Sequence, residues 1–535
     1  MIKFRRKKSP ETRWHPGAQT LHEEGTIVKD WGGRLPIALI YPNTYYLGMS
    51  NLGIHAVYKL LNDNLRVLCE RVFYEPDRKH PPAAIESGRP LSDFAVLAFS
   101  ISYELDYFNV VSILKASGIP LFAADRDESH PLIIAGGPCI TANPLTLAPF
   151  FDCLCIGEAE AILPPMMPLL LDYIGESRDI LLRELVKVPG VYVPAYSLGK
   201  TVVRRWAENL DDFPVTSVIL TPDTELGELY LIEAERGCQR GCRFCLVNTV
   251  FSPMRFRSVD GMLKKAWEGL HQRRRIGLVG PAVTDHPQIN ELLAGLLRLN
   301  AEISISSLHM KSLSPEILNA LVKGKTRNIT VAPEAGSRRL REVINKGLTD
   351  NDIMETVDRI AACHFSQLKL YYMVGLPAET DEDAGDIINL TLAIKERLEK
   401  KRSDTRIILN VSPFIPKAGT PFQWLPMASP ETLNRRLTLL RSSLPLKGVK
   451  VNEESPAWSR IQGVLARGDE KVANVMAAME EVSLAAWRKA VEEKQLDIDY
   501  YVNQIWDTDA ALPWGFIDYG IKEERLCEEL EKALD

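Results

Sequence analysis

Arg236-Gly-Cys-Gln-Arg-Gly-Cys-Arg-Phe-Cys-Leu246 places Cys238, Cys242 and Cys245 in a C-x3-C-x2-C array within one short segment. Three thiolates this close can converge on one iron-sulfur cluster. A cubane needs four ligands, so one iron stays open to an outside molecule. An open metal position is where catalysis occurs, by the logic that separates catalytic from structural zinc sites. A structural zinc site would want a fourth Cys or His at short spacing, and none follows Cys245 closely. A disulfide framework does not suit 535 residues with nine cysteines and no secretion signal. Gly237 and Gly241 suit a backbone that bends tightly around a metal.

The residues after this loop alternate between short apolar runs and amphipathic stretches. Strand candidates lie at 229–235, 276–280, 303–308, 328–332, 367–373 and 406–412, and a helical pattern follows each of the first five. Six such units predict a partial (β/α)6 barrel over 228–436, a shortened relative of the eightfold barrel. The cysteine loop then follows the first strand directly. Loops at the carboxyl ends of barrel strands carry active sites, so this placement agrees with the chemistry independently of the cysteine spacing.

Residues 35–180 form an earlier alternating series. Runs at 36–41, 94–99, 132–135 and 153–156 are read as buried strands, with helices around 52–63 and 105–117. This predicts an α/β domain with a doubly wound, mostly parallel sheet of Rossmann type. Ligands of such sheets sit outside the carboxyl ends of the strands, where 43–48, 100–104 and 136–138 fall. Residues 1–34 form an N-terminal extension. Residues 181–227, with Gly190-Val-Tyr-Val-Pro194 and Lys200-Thr-Val-Val-Arg204, are read as a hairpin and linker. Residues 437–535 are read as a helical C-terminal domain, with runs at 472–492 and 522–534.

Several stretches combine with the triplet: Tyr41-Pro-Asn-Thr-Tyr-Tyr-Leu-Gly-Met-Ser-Asn-Leu-Gly53, Ala135-Gly-Gly-Pro-Cys139, Ile156-Gly-Glu-Ala-Glu160, Ala332-Pro-Glu-Ala-Gly-Ser337 and Ser412-Pro-Phe-Ile-Pro-Lys417. Together they resemble the cobalamin (B12)-binding-domain radical SAM proteins, in particular an uncharacterised bacterial branch of them. The resemblance implies a 4Fe-4S cluster on Cys238, Cys242 and Cys245 whose open iron holds S-adenosylmethionine (SAM). It also implies reductive cleavage of SAM to methionine and a 5'-deoxyadenosyl radical. Carried over by position, Phe244 flanks the adenine and backbone near Gly375 lies along it, while Ser306 and Glu334 are candidates for the ribose hydroxyls or the methionine amine. Glu334 could equally cap a helix starting at Ser337, and Gly375 could simply mark a tight turn. Arg338 and Arg339 offer charge for the SAM carboxylate or a substrate anion, although exposed arginines on a helix usually do neither. Where the family commonly has a Gly-Gly-Glu motif on the second strand for the SAM amine, this chain has Leu278-Val-Gly-Pro-Ala282. Either backbone carbonyls take over, or Asp285 and Glu334 share the duty.

The family's cobalamin domain often carries Asp-x-His-x-x-Gly, whose histidine ligates cobalt from below. The same frame here is Asn43-Thr-Tyr45-Tyr-Leu-Gly48. Asn43, Tyr45, Gly48, Ser100, Gly136 and Gly137 are the candidate cobalamin contacts; a cofactor-free fold is the alternative, and His55 is read as structural. Two functions compete. One is a transferase: cobalamin-dependent methyl transfer to an unactivated carbon. The other is a cobalamin-independent, methylthiotransferase-like enzyme that modifies RNA or protein, with the N-terminal domain binding substrate. That second family draws three further cysteines from its amino-terminal domain, whereas Cys69, Cys139, Cys153 and Cys155 lack a clear cluster spacing. Cys153 and Cys155 share a strand face and suit packing as small hydrophobes.

Hydrophobic residues at 46% and charged residues at 25% are those of a soluble globular protein. A net charge of -6 gives no general electrostatic reason to expect nucleic acid. The basic start, residues 1–9, is read as a solvated tail, with RNA or an anionic membrane as the alternative contact. Apolar runs such as 161–171 are interrupted by prolines and too short to span a bilayer. Free thiols and an oxygen-sensitive cluster point to the cytoplasm and to a reducing partner such as flavodoxin or ferredoxin. The aromatic segments 420–424 and 512–514 are read as core packing, and Lys417 and Arg467-Gly-Asp469 as substrate contacts or, equally, ion-pairing residues.

Overall fold

The computed structural model describes residues 11–13, 21–76 and 80–535, so the basic start lies outside the described residues. The N-terminal sheet is built from β1 (Leu35–Tyr41), β2 (Val67–Phe73), β3 (Val96–Ser100), β4 (Leu132–Gly136), β5 (Cys153–Cys155) and β6 (Val191–Tyr192), in the order β2-β1-β3-β4-β5-β6. All neighbours are parallel except β5 and β6. β1 has the near-continuous apolar sequence of a strand covered on both faces. Ile37, Leu39 and Tyr41 pack on one side with the helix Leu52–Asp63, while Ala38 and Ile40 belong to a different core on the other. The strand order reverses between β1 and β3, so the loops after those two strands meet at the topological switch point.

The 190–204 hairpin does not form. Val191–Tyr192 pairs antiparallel with β5, and Val202–Val203 pairs in parallel with Ile517–Asp518 near the C-terminus. Each short apolar segment completes an open edge elsewhere, because Pro194 and Gly199 between them do not make a tight hairpin turn.

The second α/β unit contains β7 (Leu229–Glu233), β8 (Arg275–Val279), β9 (Glu302–Ile305), β10 (Asn328–Glu334), β11 (Gln367–Val374), β12 (Arg406–Pro413) and β13 (Lys450–Glu453). All pairings are parallel, and they form two arcs, β7-β8-β9 and β10-β11-β12-β13. Among the described residues no ladder joins β9 to β10, so the barrel is partial. The seventh strand, β13, extends the sheet beyond the expected limit at residue 436. Along β11, Leu368, Leu370, Tyr372 and Val374 are buried toward the helices, and the alternate Lys369, Tyr371 and Met373 face the concave side. Thr330, Glu334, Asn410 and Ser412 line the same side, so the lumen is polar and half-exposed.

The C-terminal region is helical, as read, but the run at 472–492 is two helices, Glu470–Ala478 and Leu484–Lys494, the second capped by Ser483. This cap is not a separate body. Val464, Trp514 and Leu526 share one core with Ile40 and Ile133 of the N-terminal sheet and with Phe414 and Trp424 beyond β12. Trp424 and Trp514 are fully buried, and the Trp514 indole donates to Gln423 Oε1 at 2.7 Å. Among the described residues no helix is long and apolar enough to cross a membrane.

Candidate active site

β7 leads through Ala234 into a two-residue strand, Glu235–Arg236, paired antiparallel with Arg255–Phe256. This pair forms the neck of a loop, residues 237–254, that carries the three cysteines. Gly237 has φ +83°, and a Cβ there would lie 2.8 Å from Phe251 O and from Met254 Cα, so the turn out of the neck requires glycine. The rest of the loop is tied down independently of any metal. Arg240 makes two bonds to the Asp285 carboxylate, at 2.7 and 2.6 Å. Arg243 donates to Glu342 O (3.1 Å), Val343 O (2.8 Å) and Glu529 (3.0 Å), and Asn345 Nδ2 donates to Gly241 O at 2.9 Å.

The three thiols are half-buried and close enough to perturb one another. Burial pushes Cys245 up to about 12, with Cys242 and Cys238 adding to the shift, and raises the other two in the same direction. Thiols that resist ionisation in the free protein are deprotonated by metal coordination, so loading releases protons. Lys346 supplies the compensating charge. Its ammonium lies beside Cys242 and Cys245 and pairs with Glu334 Oε1 at 3.0 Å. Among the described residues no three His, Cys, Asp or Glu side chains converge as a single ion would require. A cubane does not ask for that, because each thiolate takes its own iron. The donor set therefore fits a 4Fe-4S cluster.

Among the SAM candidates, Glu334 stands at the end of β10 with φ +71° and its carboxylate on Lys346. It does not cap the next helix, because Ser337 does that through Leu340 N. Ser306 is exposed and bridges the strand ends, its hydroxyl donating to Gly280 O at 3.3 Å. Phe244 packs against the large core. Gly375, at φ +81°, forms a turn whose N–H donates to Glu379. Both oxygens of Asp285 accept from Arg240, and Oδ1 also accepts from Ser312. Arg338 pairs with Glu342, and Arg339 with Asp383.

Three side chains at this end of the barrel were not legible from spacing. Lys346 is one. Glu235 is another: one carboxylate oxygen accepts from Ala282 N, and the other is buried without a partner. Gly280 makes this possible, because a Cβ there would meet Glu235 Cγ at 2.6 Å. An acid from the neck just after β7 thus stands against the start of the loop after β8. His309, after β9, has no partner on either ring nitrogen, and burial together with the Arg240 charge keeps it neutral at about 4.

At the switch point of the N-terminal sheet, Asn43 Nδ2 donates to Asp106 Oδ1 at 2.7 Å. Glu104, in the same turn as Asp106, pairs with Lys417 beyond β12 and accepts from Gln462 of the cap at 2.8 Å. The carboxyl edges of sheet and barrel are therefore joined here. Tyr45 is turned away from this edge. Its ring packs on Phe73 and its hydroxyl donates to Glu23 at 2.7 Å. His55 is structural: Nε2 donates to Met49 O (3.0 Å), and Nδ1 accepts from Val218 N (3.1 Å). Gly48 leaves room for Phe73, and Gly137, at φ +112°, for the Ile101 carbonyl, so both serve the chain's own packing. Ser100 and Gly136 pair in register at the ends of β3 and β4. Cys69, Cys139, Cys153 and Cys155 are buried in the two cores as free thiols.

Asp106 carries a pH signature. Its second oxygen has no partner, and burial, with help from Glu104, pushes its pKa up to about 7. An unfolded aspartate titrates near 4. Between about pH 4 and 7 the folded state holds a proton that the unfolded state has lost, so stability falls as pH rises through that window and levels off above it. Asp106→Asn keeps the Asn43 bond and removes the titration. Its stability relative to the wild type therefore rises between pH 4.5 and 7.5, on the order of a few kcal/mol in urea unfolding. A constant difference between the two proteins across that range would refute the assignment.

Comparison with known proteins agrees with this geometry. Residues 53–194 match the family described as radical SAM proteins, N-terminal, and residues 232–391 match the radical SAM superfamily. An uncharacterized protein of Methanocaldococcus jannaschii is 32% identical over 451 residues, covering 82% of this chain and 90% of that protein. The ribosomal protein uS12 methylthiotransferase RimO of Thermotoga petrophila is 25% identical over 166 residues, 28% of this chain and 38% of the relative. The radical SAM methyltransferase TsrM of Kitasatospora setae, solved with cobalamin and a 4Fe-4S cluster bound, has the same fold at a TM-score of 0.52. That likeness has 11% identity and covers 86% of this chain and 99% of that one. The sheet, the barrel and the cysteine loop, with these matches, make the chain a member of the radical SAM superfamily.

Proposed function

We propose that the chain is a cobalamin-dependent methyltransferase acting on an unactivated carbon, with SAM at the mouth of the partial barrel and cobalamin at the switch point of the N-terminal sheet. When bound, the cluster supplies the electron for reductive cleavage of SAM, and cobalamin supplies a methyl carrier. The observation that carries the reading is the Glu104–Lys417 pair, which joins the two carboxyl edges and so would bring ligands held at either edge toward each other. Cys238, Cys242 and Cys245 hold the cluster. Glu334, Ser306 and the unpartnered oxygen of Glu235 provide acceptors for the hydroxyls and ammonium of SAM.

The switch point suits a corrin on two counts. Tyr46 and Leu47, on the short helix Tyr45–Gly48 after β1, and Tyr103, after β3, stand exposed and offer apolar faces. Asn43, Ser100 and the free oxygen of Asp106 provide polar partners for amide side chains. Neither Tyr45 nor His55 is free to reach a metal, so the corrin would be held without a ligand from either side chain. An electron donor of the flavodoxin or ferredoxin class completes the reaction.

The test is anaerobic reconstitution with iron, sulfide and hydroxocobalamin, followed by desalting. Near-stoichiometric cobalamin beside a full cluster is the expected result. A full cluster with no retained cobalamin would overturn the reading in favour of a cobalamin-independent enzyme whose N-terminal domain binds RNA or protein.

A further inference from the structure

In the neck of the cysteine loop, Arg236 stands directly opposite Arg255. Two cations facing each other on a strand pair repel, and both are nearly buried, with 10% and 9% of their side chains exposed. Glu158 of the N-terminal domain lies between them. Its Oε2 accepts from Arg236 Nη1 at 2.9 Å and from Arg255 Nη1 at 3.0 Å, and its Oε1 accepts from Arg255 Nη2 at 2.6 Å. Glu160 adds a second grip on Arg236, at 2.5 Å and 3.1 Å. Arg257 closes the group through Glu233, which also binds Arg236 Nε at 2.8 Å. Three carboxylates thus balance three guanidinium groups in one buried network.

Glu158 is itself held rigidly. It follows β5 directly, its N–H donates to Arg205 O at 2.8 Å, and its carboxylate accepts from Ala207 N at 3.0 Å. Gly157 before it has φ +132°, and a Cβ there would lie 2.1 Å from Arg205 O. Only glycine permits the close approach that delivers the carboxylate to the neck.

We infer that Glu158, seconded by Glu160, is the positioning residue through which the N-terminal domain sets the geometry and the electrostatic potential of the cysteine loop. The inference rests on the reading that the three cysteines hold a cluster. Breaking a buried ion pair from one side leaves the partner charge uncompensated. In Glu158→Gln that leftover charge is positive and stands at the stem of the loop. Net charge near a cluster tunes its reduction potential, and added positive charge favours the reduced, more negative state.

The experiment reconstitutes wild type, Glu158→Gln, Glu160→Gln and the exposed charge control Glu396→Gln with iron and sulfide, then measures iron content, the midpoint potential and the spin-resonance spectrum of the reduced cluster. The wild type and the control are expected to agree. Glu158→Gln is expected either to raise the midpoint potential and alter the spectrum, or to fold with a cooperative melt yet hold less than half the wild-type iron. Glu160→Gln is expected to show a smaller change of the same sign, and carries the test alone should Glu158→Gln fail to fold. Full iron with wild-type potential and spectrum would overturn the inference, as would a lowered potential. A wild type that holds no cluster would instead refute the underlying reading, so the two failures are distinct.

Discussion

Cys242→Ser is expected to give a folded protein with no cluster. After reconstitution, iron falls from about four per chain to the level of adventitious metal, the visible sulfur-to-iron absorption disappears, and SAM cleavage drops to that of protein-free controls. The structure separates this loss from unfolding. Arg243, Asn345 and Arg240 fasten the loop through carbonyls and Asp285, and none of these bonds involves a thiol. Serine preserves the size of the side chain, so unfolding free energy without metal should change by less than about 1 kcal/mol. A hydroxyl replaces poorly the soft, polarisable thiolate that iron in a cluster takes. Retention of a full, redox-active cluster by this variant would remove Cys242 from the ligand set. A large loss of stability would mean that the thiol packs rather than ligates.

The cysteine triplet could be read because its chemistry lies within eight consecutive residues. Six barrel strands could be read for a related reason: strands such as 367–373 alternate buried apolar positions with lumen-facing ones within a few consecutive residues. β13 could not, because Lys450-Val-Asn-Glu453 is an exposed edge strand with a single apolar residue. The hairpin reading of 190–204 failed because the true partner of Val202 is Ile517, more than three hundred residues away, and two valines carry no sign of that. Separations of 78 and 97 residues likewise hide the Glu158 network. The Ile156-Gly-Glu-Ala-Glu160 stretch contributed to the family resemblance without suggesting a role, because its partners Arg236 and Arg255 lie in another domain. The surroundings of Tyr45 are hidden for a subtler reason. It stands at the histidine's place in the motif frame, but Glu23, from a segment read only as an extension, draws its hydroxyl into the core.

That segment supplies the other large effect. Arg71, on β2, has no exposed surface, and its guanidinium is shared between two carboxylates: Nη1 and Nη2 donate to Glu23 at 2.8 and 2.7 Å, and Nε donates to Glu86 at 2.7 Å. The Glu23 and Glu86 side chains are only 8% and 1% exposed. Arg71→Met fills much of the same volume but leaves both carboxylates without this cation, and should cost about 3–5 kcal/mol in the first urea transition. The pH dependence gives the mechanism a signature. Burial alone would raise Glu23, but the Arg71 charge and hydrogen bonds outweigh it and hold the carboxyl at about 2, below its ordinary 4.5. A depressed carboxylate contributes stability in full above its unfolded pKa and loses it as pH falls through its folded one. The gap between wild type and Arg71→Met should therefore be widest near neutral pH and narrow from about pH 4.5 toward 2. A gap of less than 1 kcal/mol, or one that does not change with acid, would mean that shape rather than charge fixes β2 against the extension. A gap that closes with acid would assign Arg71 and Glu23 as the lock that keeps Tyr45 out of the switch point.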